Sequence, residues 1–578
     1  MRTIRNIILV IIFLAAIAFC LYIATNYQKT GYEDKINLVI NYKNVTSKMK
    51  GKVILKDGEV YLSTKDIENY YDKNLYLDEK YNYIVAADNS NIACFDINNN
   101  SLDINGNVTN DIKIIKEDDL YYVPISKLNS VYNINVSYKD KTNTVLIESL
   151  GDECTVADIN SATSVRSKAT LLSKKLEKID AGAKVYVCDS DNQSASSSEY
   201  SKSGVMGKIN GFVSNQENKV AKNWTYIRTE NGTLGYIKNS DLVNTRKERE
   251  KEKVETKKVS LVWEYFHEKY GKAPKKSQSD YREGFNVVSP TFFFMEGTTV
   301  KENVGTAGEN YIKWAKSNNC EVWARVANNN ESSDIVKNFS EWINDYKKRE
   351  DVIKQIAAYA KKYDLDGINI DFENMYKSDK DAFSRFIIEL KPRLASLNVK
   401  LSVDVTEPDG SDNWSLCYDR NTIGRYADYV VFMAYDQNTK GSKKQGSVAS
   451  LDWVEKNIKK FINNEKVDPN KIIVAIPFYT RLWKVNSDGT TADAYNVAMK
   501  DEEKYVKKAS HKEWLEYAKQ NYIEYDEAGY TYKMWMEDAD SIGCKLDLIN
   551  KYNLAGAAYW QKGNEDDAIW QTIKEKLF

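Results

Sequence analysis

Beyond Lys258 the chain alternates short continuous apolar runs with longer stretches of helical spacing, the pattern of βα units repeated around a parallel sheet buried on both faces. Eight runs are candidate strands: VSLVW from Val259, FNVVSPTFFF from Phe285, CEVWARV from Cys320, GINIDFE from Gly367, VKLSVDV from Val399, DYVVFMAYD from Asp428, KIIVAIPFY from Lys471 and GAAYW from Gly556. Helical spacing around Tyr311 to Lys316, Val336 to Tyr363 and Lys380 to Leu397 predicts covering helices between them. Eight such units predict a (β/α)8 barrel over 259–578; the alternation by itself also fits an open doubly wound sheet. Before Lys258 the runs are shorter and alternate with period two, broken by Asn, Asp and Gly, which predicts small β-rich modules.

Two of those modules separate along the chain. Within 32–150, VYLSTKDIENYYDKNLYLDEKYNYIVAA from Val60 and YYVPISKLNSVYNINVSYKDKTNTVLIE from Tyr121 align as strand, short helix and two strands, Ile67 matching Leu128 and Ile84 matching Val145. Residues 155–244 read as short strands, with a hairpin between Tyr226 and Tyr236 and with Trp224 and those tyrosines as core or as a ligand platform. The run TRKEREKEKVETKK, residues 245–258, carries both charge signs and no apolar face, so it reads as a solvated linker. At the other end, Arg2 and Arg5 precede an uninterrupted apolar run from Ile7 to Ala24, long enough to cross a bilayer. Lacking a small-residue cleavage pattern, residues 1–28 are expected to form a cytoplasmic stub and signal-anchor helix, with the rest of this single-pass chain outside the cell membrane.

One strand carries chemistry. In LDGINIDFEN, a period of two sets Asn369, Asp371 and Glu373 on one face and Ile368, Ile370 and Phe372 on the other. In a barrel the apolar set meets the helices and the polar set climbs the interior toward the C-terminal rim, where active sites of this fold lie. Two carboxyls crowded in a partly dry site disfavour double ionisation, so Glu373 is expected to keep a proton and to donate it.

Composition narrows the chemistry further. Lys and Arg total 82 against 83 Asp and Glu, which removes the electrostatic case for nucleic acid. Two histidines and seven cysteines, with no CxxC or HxxxH spacing, leave no metal site, and no cofactor is expected. The scattered cysteines read as small apolar fillers rather than a disulfide framework. Forty tyrosines and twelve tryptophans suit stacking on sugar faces, although most must be core.

Residues 366–373, DGINIDFE, resemble the DGxDxDxE signature of glycoside hydrolase family 18, with Asn369 in place of the middle aspartate, which in the family helps set the charge of the next carboxylate. FMAYDQ supplies the family's MxYD motif as Met433, Tyr435 and Asp436, and Trp560 in YWQKG matches the tryptophan that floors the sugar subsite. The phrases NVVSPTFFF, AIPFYTRLW and AGAAYWQKG look closest to the spore and cell-wall branch, which includes cortical-fragment-lytic N-acetylglucosaminidases. The first module resembles copper amine oxidase N-terminal-like stalk domains, without implying copper, and the second resembles bacterial Src-homology-3-like domains. The resemblance implies a retaining, substrate-assisted hydrolase of β-1,4 bonds in N-acetylglucosamine-containing glycan, with peptidoglycan or a related polymer as partner. Glu373 would be the acid, Asp371 would hold the acetamido N–H, and Tyr435 would bind its oxygen. Asn369, Met433, Asp436, Trp560 and Arg481 are candidate substrate contacts; Glu537 has no assigned role. The competing expectation is a non-catalytic glycan-binding or wall-scaffold protein that keeps the barrel, against which the retention of Glu373 argues.

Overall fold

The computed structural model describes residues 12–17, 35–188, 222–249, 257–266, 280–329 and 332–578. Of the apolar run from Ile7 to Ala24 it describes only residues 12–17, which are helical, so the expected membrane crossing lies outside the described residues. Among the described residues no helix is long and apolar enough to cross a membrane. The chain divides into two compact units, residues 1–86 with 93–253, and residues 254–578 with 87–92.

In the first unit the sequence repeat is structural. Glu59–Ser63 and Leu120–Pro124 are each followed by a short helical segment and two strands, and the two leading strands pair antiparallel, Leu62 opposite Val123. Ile67, Leu128, Ile84 and Val145 are all fully buried in one core. The second module is a seven-stranded antiparallel sheet. Its hairpin joins Trp224–Thr229 to Leu234–Lys238; Trp224 is buried, and Tyr226 opposes Tyr236 with ring centroids 4.9 Å apart. The linker expectation needs correction at its start, because strand Leu242–Arg249 runs on past residue 244 and pairs with Cys154–Ile159. The charges there have partners within the sheet, Arg246 with Asp158 of the adjacent strand and Glu248 with Lys184 of the strand beyond it.

The second unit contains the barrel. Its strands are β1 (Val259–Glu264), β2 (Val287–Pro290), β3 (Glu321–Ala327), β4 (Gly367–Asp371), β5 (Lys400–Val405), β6 (Tyr429–Met433), β7 (Ile472–Pro477) and β8 (Gly556–Trp560). Each pairs parallel with the next; Val287 opposite Glu321 joins β2 to β3, and Val259 opposite Gly556 closes the ring, which settles the barrel against the open sheet. Leu261, Trp263, Val287, Trp323, Val431, Ile473, Ala475 and Ala558 pack together from six strands and fill the interior. Gly367 is required at the start of β4: a Cβ there would lie 2.5 Å from Trp323 Cδ1, and this indole crosses the ring to stack on Tyr429.

Two expectations shift in detail. FNVVSPTFFF is not one strand; after Pro290 the chain leaves the ladder, and Phe293–Glu296 forms a hairpin with Thr299–Glu302 beside the end of β3. The cover expected over 336–363 is two helices, Ser333–Ile343 and Tyr346–Lys362, because the Asp345 side chain accepts the Lys348 N–H and restarts the chain as an N-cap. Arg349 of the second helix reaches Glu389 of helix Lys380–Ala395 through two hydrogen bonds, 3.1 and 2.9 Å, with both side chains nearly inaccessible. Glu389→Ala strands that guanidinium and is expected to destabilise the barrel by about 3–5 kcal/mol, read as a fall in its thermal midpoint; an unchanged midpoint would contradict a buried pair.

The insertion between β7 and β8 was not foreseen. Tyr479–Val485, Thr491–Ala498, His511–Leu515, Gln520–Glu527 and Tyr530–Trp535 form a five-stranded antiparallel sheet. Glu537 lies at its base in an inaccessible ion pair with Lys545, and also accepts hydrogen bonds from Gln520 and Ser541, so its place is structural.

Candidate active site

The site is built on the C-terminal ends of the barrel strands. On β4 the residues divide as the alternation predicts. Phe372 turns outward into an aromatic cluster with Phe339, Trp342 and Phe386 of the covering helices. Asn369 turns inward, and all of its hydrogen-bonding capacity is used: its oxygen accepts from Trp263 Nε1 at 2.9 Å and Ser289 Oγ at 3.3 Å, while its amide donates to Ser402 Oγ at 3.0 Å and Asp404 Oδ1 at 2.7 Å. Asp366, just before the strand, accepts the Val322 N–H and fixes the entry to β4.

Above Asn369, Asp371 is 4% exposed and ion-paired with Arg325 of β3, whose Nε and Nη2 both reach Oδ2. Asp371 Oδ1 is buried and accepts no hydrogen bond from a permanently protonated group. Glu373 stands beside it, two residues beyond the end of the strand, with its carboxyl within hydrogen-bond reach of that of Asp371. Burial, and after it the Asp371 charge, raise the Glu373 carboxyl well above the ordinary glutamate range, with Arg325 pulling the other way. Its backbone is clamped, since Asn328 Nδ2 donates to the Glu373 carbonyl at 2.6 Å and the Glu373 N–H donates to Asn328 Oδ1 at 3.1 Å. Tyr418 donates to the Phe372 carbonyl at 2.7 Å.

Tyr435, just past β6, packs with Trp560 against the interior cluster, and burial first, then the charge of Asp371, hold its hydroxyl protonated. Trp560 at the end of β8 lies against Trp263, ring centroids 5.8 Å apart, and under the Arg325 guanidinium at 5.7 Å. Glu373, Asp371, Tyr435 and Trp560 are therefore brought to one mouth, whereas Asn369, expected as a substrate contact, is fully buried beneath it with its hydrogen bonds spent inside the barrel. Met433 is buried in the same wall. Asp436 and Arg481 are engaged with each other: Asp436 Oδ1 accepts from Arg481 Nη2 at 2.6 Å and from the Tyr479 hydroxyl at 2.7 Å, while Arg481 also holds Asn496. Arg481 is 4% exposed, so the pair braces the insertion's first strand against the turn after β6 rather than presenting a free cation.

Sequence reading missed Arg325, Asn328 and Asp404. Arg325 and Asp404 had a signal, being charged residues at interior-facing positions of otherwise apolar strands, two residues on from Trp323 and Ser402. Asn328 had none, because a clamp across two strand ends is invisible along one chain.

With two adjoining carboxyls, one of them pushed toward its protonated form by burial and by its neighbour's charge, beside an aromatic floor, the mouth has the parts for acid-assisted cleavage of a glycosidic bond. Residues 39–147 match the copper amine oxidase N-terminal domain. The chain is similar to Uncharacterized glycosylase YvbX of Bacillus subtilis, 28% identical over 313 residues that cover 52% of this chain and 88% of the relative. It is also similar to the Cortical fragment-lytic enzyme of Bacillus anthracis, 26% identical over 273 residues, covering 44% of this chain and 59% of that relative's length. Among solved structures, a chitinase from Chromobacterium violaceum aligns at 24% identity over 55% of this chain and 99% of its own, with a TM-score of 0.48. The profile of glycosyl hydrolases family 18 matches residues 262–565, more than half of the chain, and the protein is a glycoside hydrolase belonging to that family.

Proposed function

We propose that the protein is a membrane-anchored, exported hydrolase that cleaves β-1,4 bonds of N-acetylglucosamine-containing glycan, with peptidoglycan as its substrate. The observation that carries the chemistry is the pairing of a protonation-prone Glu373 with an Asp371 whose buried Oδ1 lacks a permanent donor. Glu373 donates its proton to the glycosidic oxygen. The acetamido carbonyl of the sugar attacks the anomeric carbon as the bond to the leaving oxygen breaks, giving an oxazolinium ion. Asp371 Oδ1 accepts the acetamido N–H and offsets the positive charge that develops there, and the Tyr435 hydroxyl holds the acetamido oxygen. Confining the acetamide in this way makes the attack intramolecular. Glu373, now ionised, takes a proton from water as water adds to the anomeric carbon and the bond from that carbon to the oxazolinium oxygen breaks, which returns the acetamide, restores the acid and retains configuration.

The relatives named for glycosylase and cortical-fragment-lytic activity support wall glycan over other N-acetylglucosamine polymers. The apolar run from Ile7 to Ala24 behind Arg2 and Arg5 supports anchoring, with the barrel on the outer side. Mass spectrometry of products from defined muropeptides tests the substrate: new reducing ends on N-acetylglucosamine are expected. New ends on muramic acid, or release only from chitin oligosaccharides, would refute the bond assignment. Binding without any release would instead favour the non-catalytic glycan-binding protein.

A further inference from the structure

Three exposed lysines, Lys440, Lys443 and Lys444, stand close together on the loop that leaves the mouth after Tyr435 and Asp436. Hydrogen bonds hold the tip of that loop in place. At its neck the Gln437 N–H donates to the Val448 carbonyl at 2.9 Å, and Asn438 Nδ2 donates to the Ser447 carbonyl at 2.7 Å. Its return limb is tied to the insertion: Trp483 Nε1 donates to the Gly446 carbonyl at 2.9 Å, and Gln445 Nε2 donates to Thr491 Oγ1 at 2.7 Å. Thr491 pairs with Val485, four residues along the strand from the Arg481 that holds Asp436. At ~3.3 Å per strand residue, the tip therefore stands ~13 Å up the insertion's wall from the mouth. Among the described residues none of the three lysines forms an ion pair. The acids of the adjacent hairpin are engaged otherwise: Asp488 accepts from Thr490 and Asp493 from the Ala494 N–H, with Lys440 and Lys484 both near Asp493. Two acids on the loop after β5 are paired, Asp409 with Lys460 and Asp412 with Lys377. The rim thus carries a local excess of positive charge on a chain whose net charge is -1.

We infer that Lys440, Lys443 and Lys444 bind carboxylates of a peptide carried by the substrate glycan, so that the enzyme prefers peptide-bearing wall strands to neutral N-acetylglucosamine polymers. This rests on the substrate proposed above. In such a strand alternate sugars carry a short peptide on a lactyl ether, and free carboxylates lie along that peptide and at its end. An extended peptide of about four residues spans ~13 Å, the same distance that separates the mouth from the loop tip. A sugar seated at the mouth therefore delivers its peptide's carboxylates to the lysines, whereas a neutral polymer brings them nothing. Contacts of this kind at an exposed rim are individually weak and screened by salt, so they act on the capture of substrate rather than on the chemical step.

The test is kcat/KM of the full chain on three soluble glycans of equal sugar length: peptide-bearing wall strands, the same strands stripped of peptide, and an N-acetylglucosamine oligosaccharide. The stripped strands keep the lactyl carboxylate and so separate it from those of the peptide. Lys440→Gln, Lys443→Gln and Lys444→Gln combined are expected to lower kcat/KM about five- to twenty-fold on the peptide-bearing strands, through KM. On the other two glycans the change is expected to stay within about two-fold, which also shows that the variant folds. Arginine at all three positions is expected to keep the wild-type preference, and about 0.5 M salt to abolish it. An equal loss on all three glycans, or no loss on the peptide-bearing strands, would overturn the inference. A loss of equal size on the stripped strands would overturn the peptide as the partner and leave the lactyl group in its place. Wild type that releases ends only from the N-acetylglucosamine oligosaccharide would defeat the underlying substrate instead; a preference for peptide-bearing strands that survives the exchange defeats only the role of the lysines.

Discussion

Glu373→Gln is expected to lower kcat on glycan oligosaccharides by about 10²–10⁴-fold while leaving KM nearly unchanged, because the amide fills the same space but has no proton to give. Steady-state release of reducing ends measures it, and a loss below ten-fold would remove Glu373 from the acid role. The same substitution is expected to stabilise the fold, and the sign follows from the direction of the shift. Glu373 is raised well above its ordinary value of 4.5, so below that value the carboxyl is protonated in both folded and unfolded chains and contributes no pH dependence. As pH rises, the unfolded chain ionises first, and wild type loses stability until the folded carboxyl titrates as well. Thermal midpoints of wild type and Glu373→Gln should therefore coincide in acid and separate toward neutral pH, with the variant higher. An acid so placed trades stability for reactivity.

Asp371→Asn is expected to lower kcat by about 10²–10³-fold, since the amide cannot offset positive charge on the acetamido group and removes the counter-charge of Arg325. The loss should appear in kcat more than in KM and persist at every pH, because no titration restores a carboxylate there. Single-turnover release on an oligosaccharide separates the chemical step from binding. A variant that loses affinity but keeps its chemical rate would make Asp371 a ground-state contact only.

The barrel was legible because its strands are short apolar runs at βα spacing, and β4 was legible in detail because period-two alternation has one reading once Phe372 is assigned to the helices and Asp371 to the interior. The repeat of the first unit was readable for a related reason, its buried Ile67 and Leu128 falling at equal offsets. The insertion sheet went unread although its turns were marked by Asp488-Gly489 and Ala528-Gly529, whose glycines have φ of +84° and +81°. Its strands lie within the expected span of a βα connection and were absorbed into it. The ion pairs Arg325–Asp371 and Asp436–Arg481 join residues far apart in sequence, and nothing along the chain says which cation meets which acid. For Arg481 this changes the picture, because a side chain that looks available for ligand in the sequence is committed to a brace in the fold.

The double hydrogen bond between Asn328 and the main chain at residue 373 has a practical corollary. The peptide there is gripped independently of whatever side chain it carries, so a disabled enzyme should hold an uncut oligosaccharide in the same register as the living one. Soaking long glycans into crystals of such a variant would display the ring on either side of the scissile oxygen, and so count how many sugars the groove takes before and after the cut.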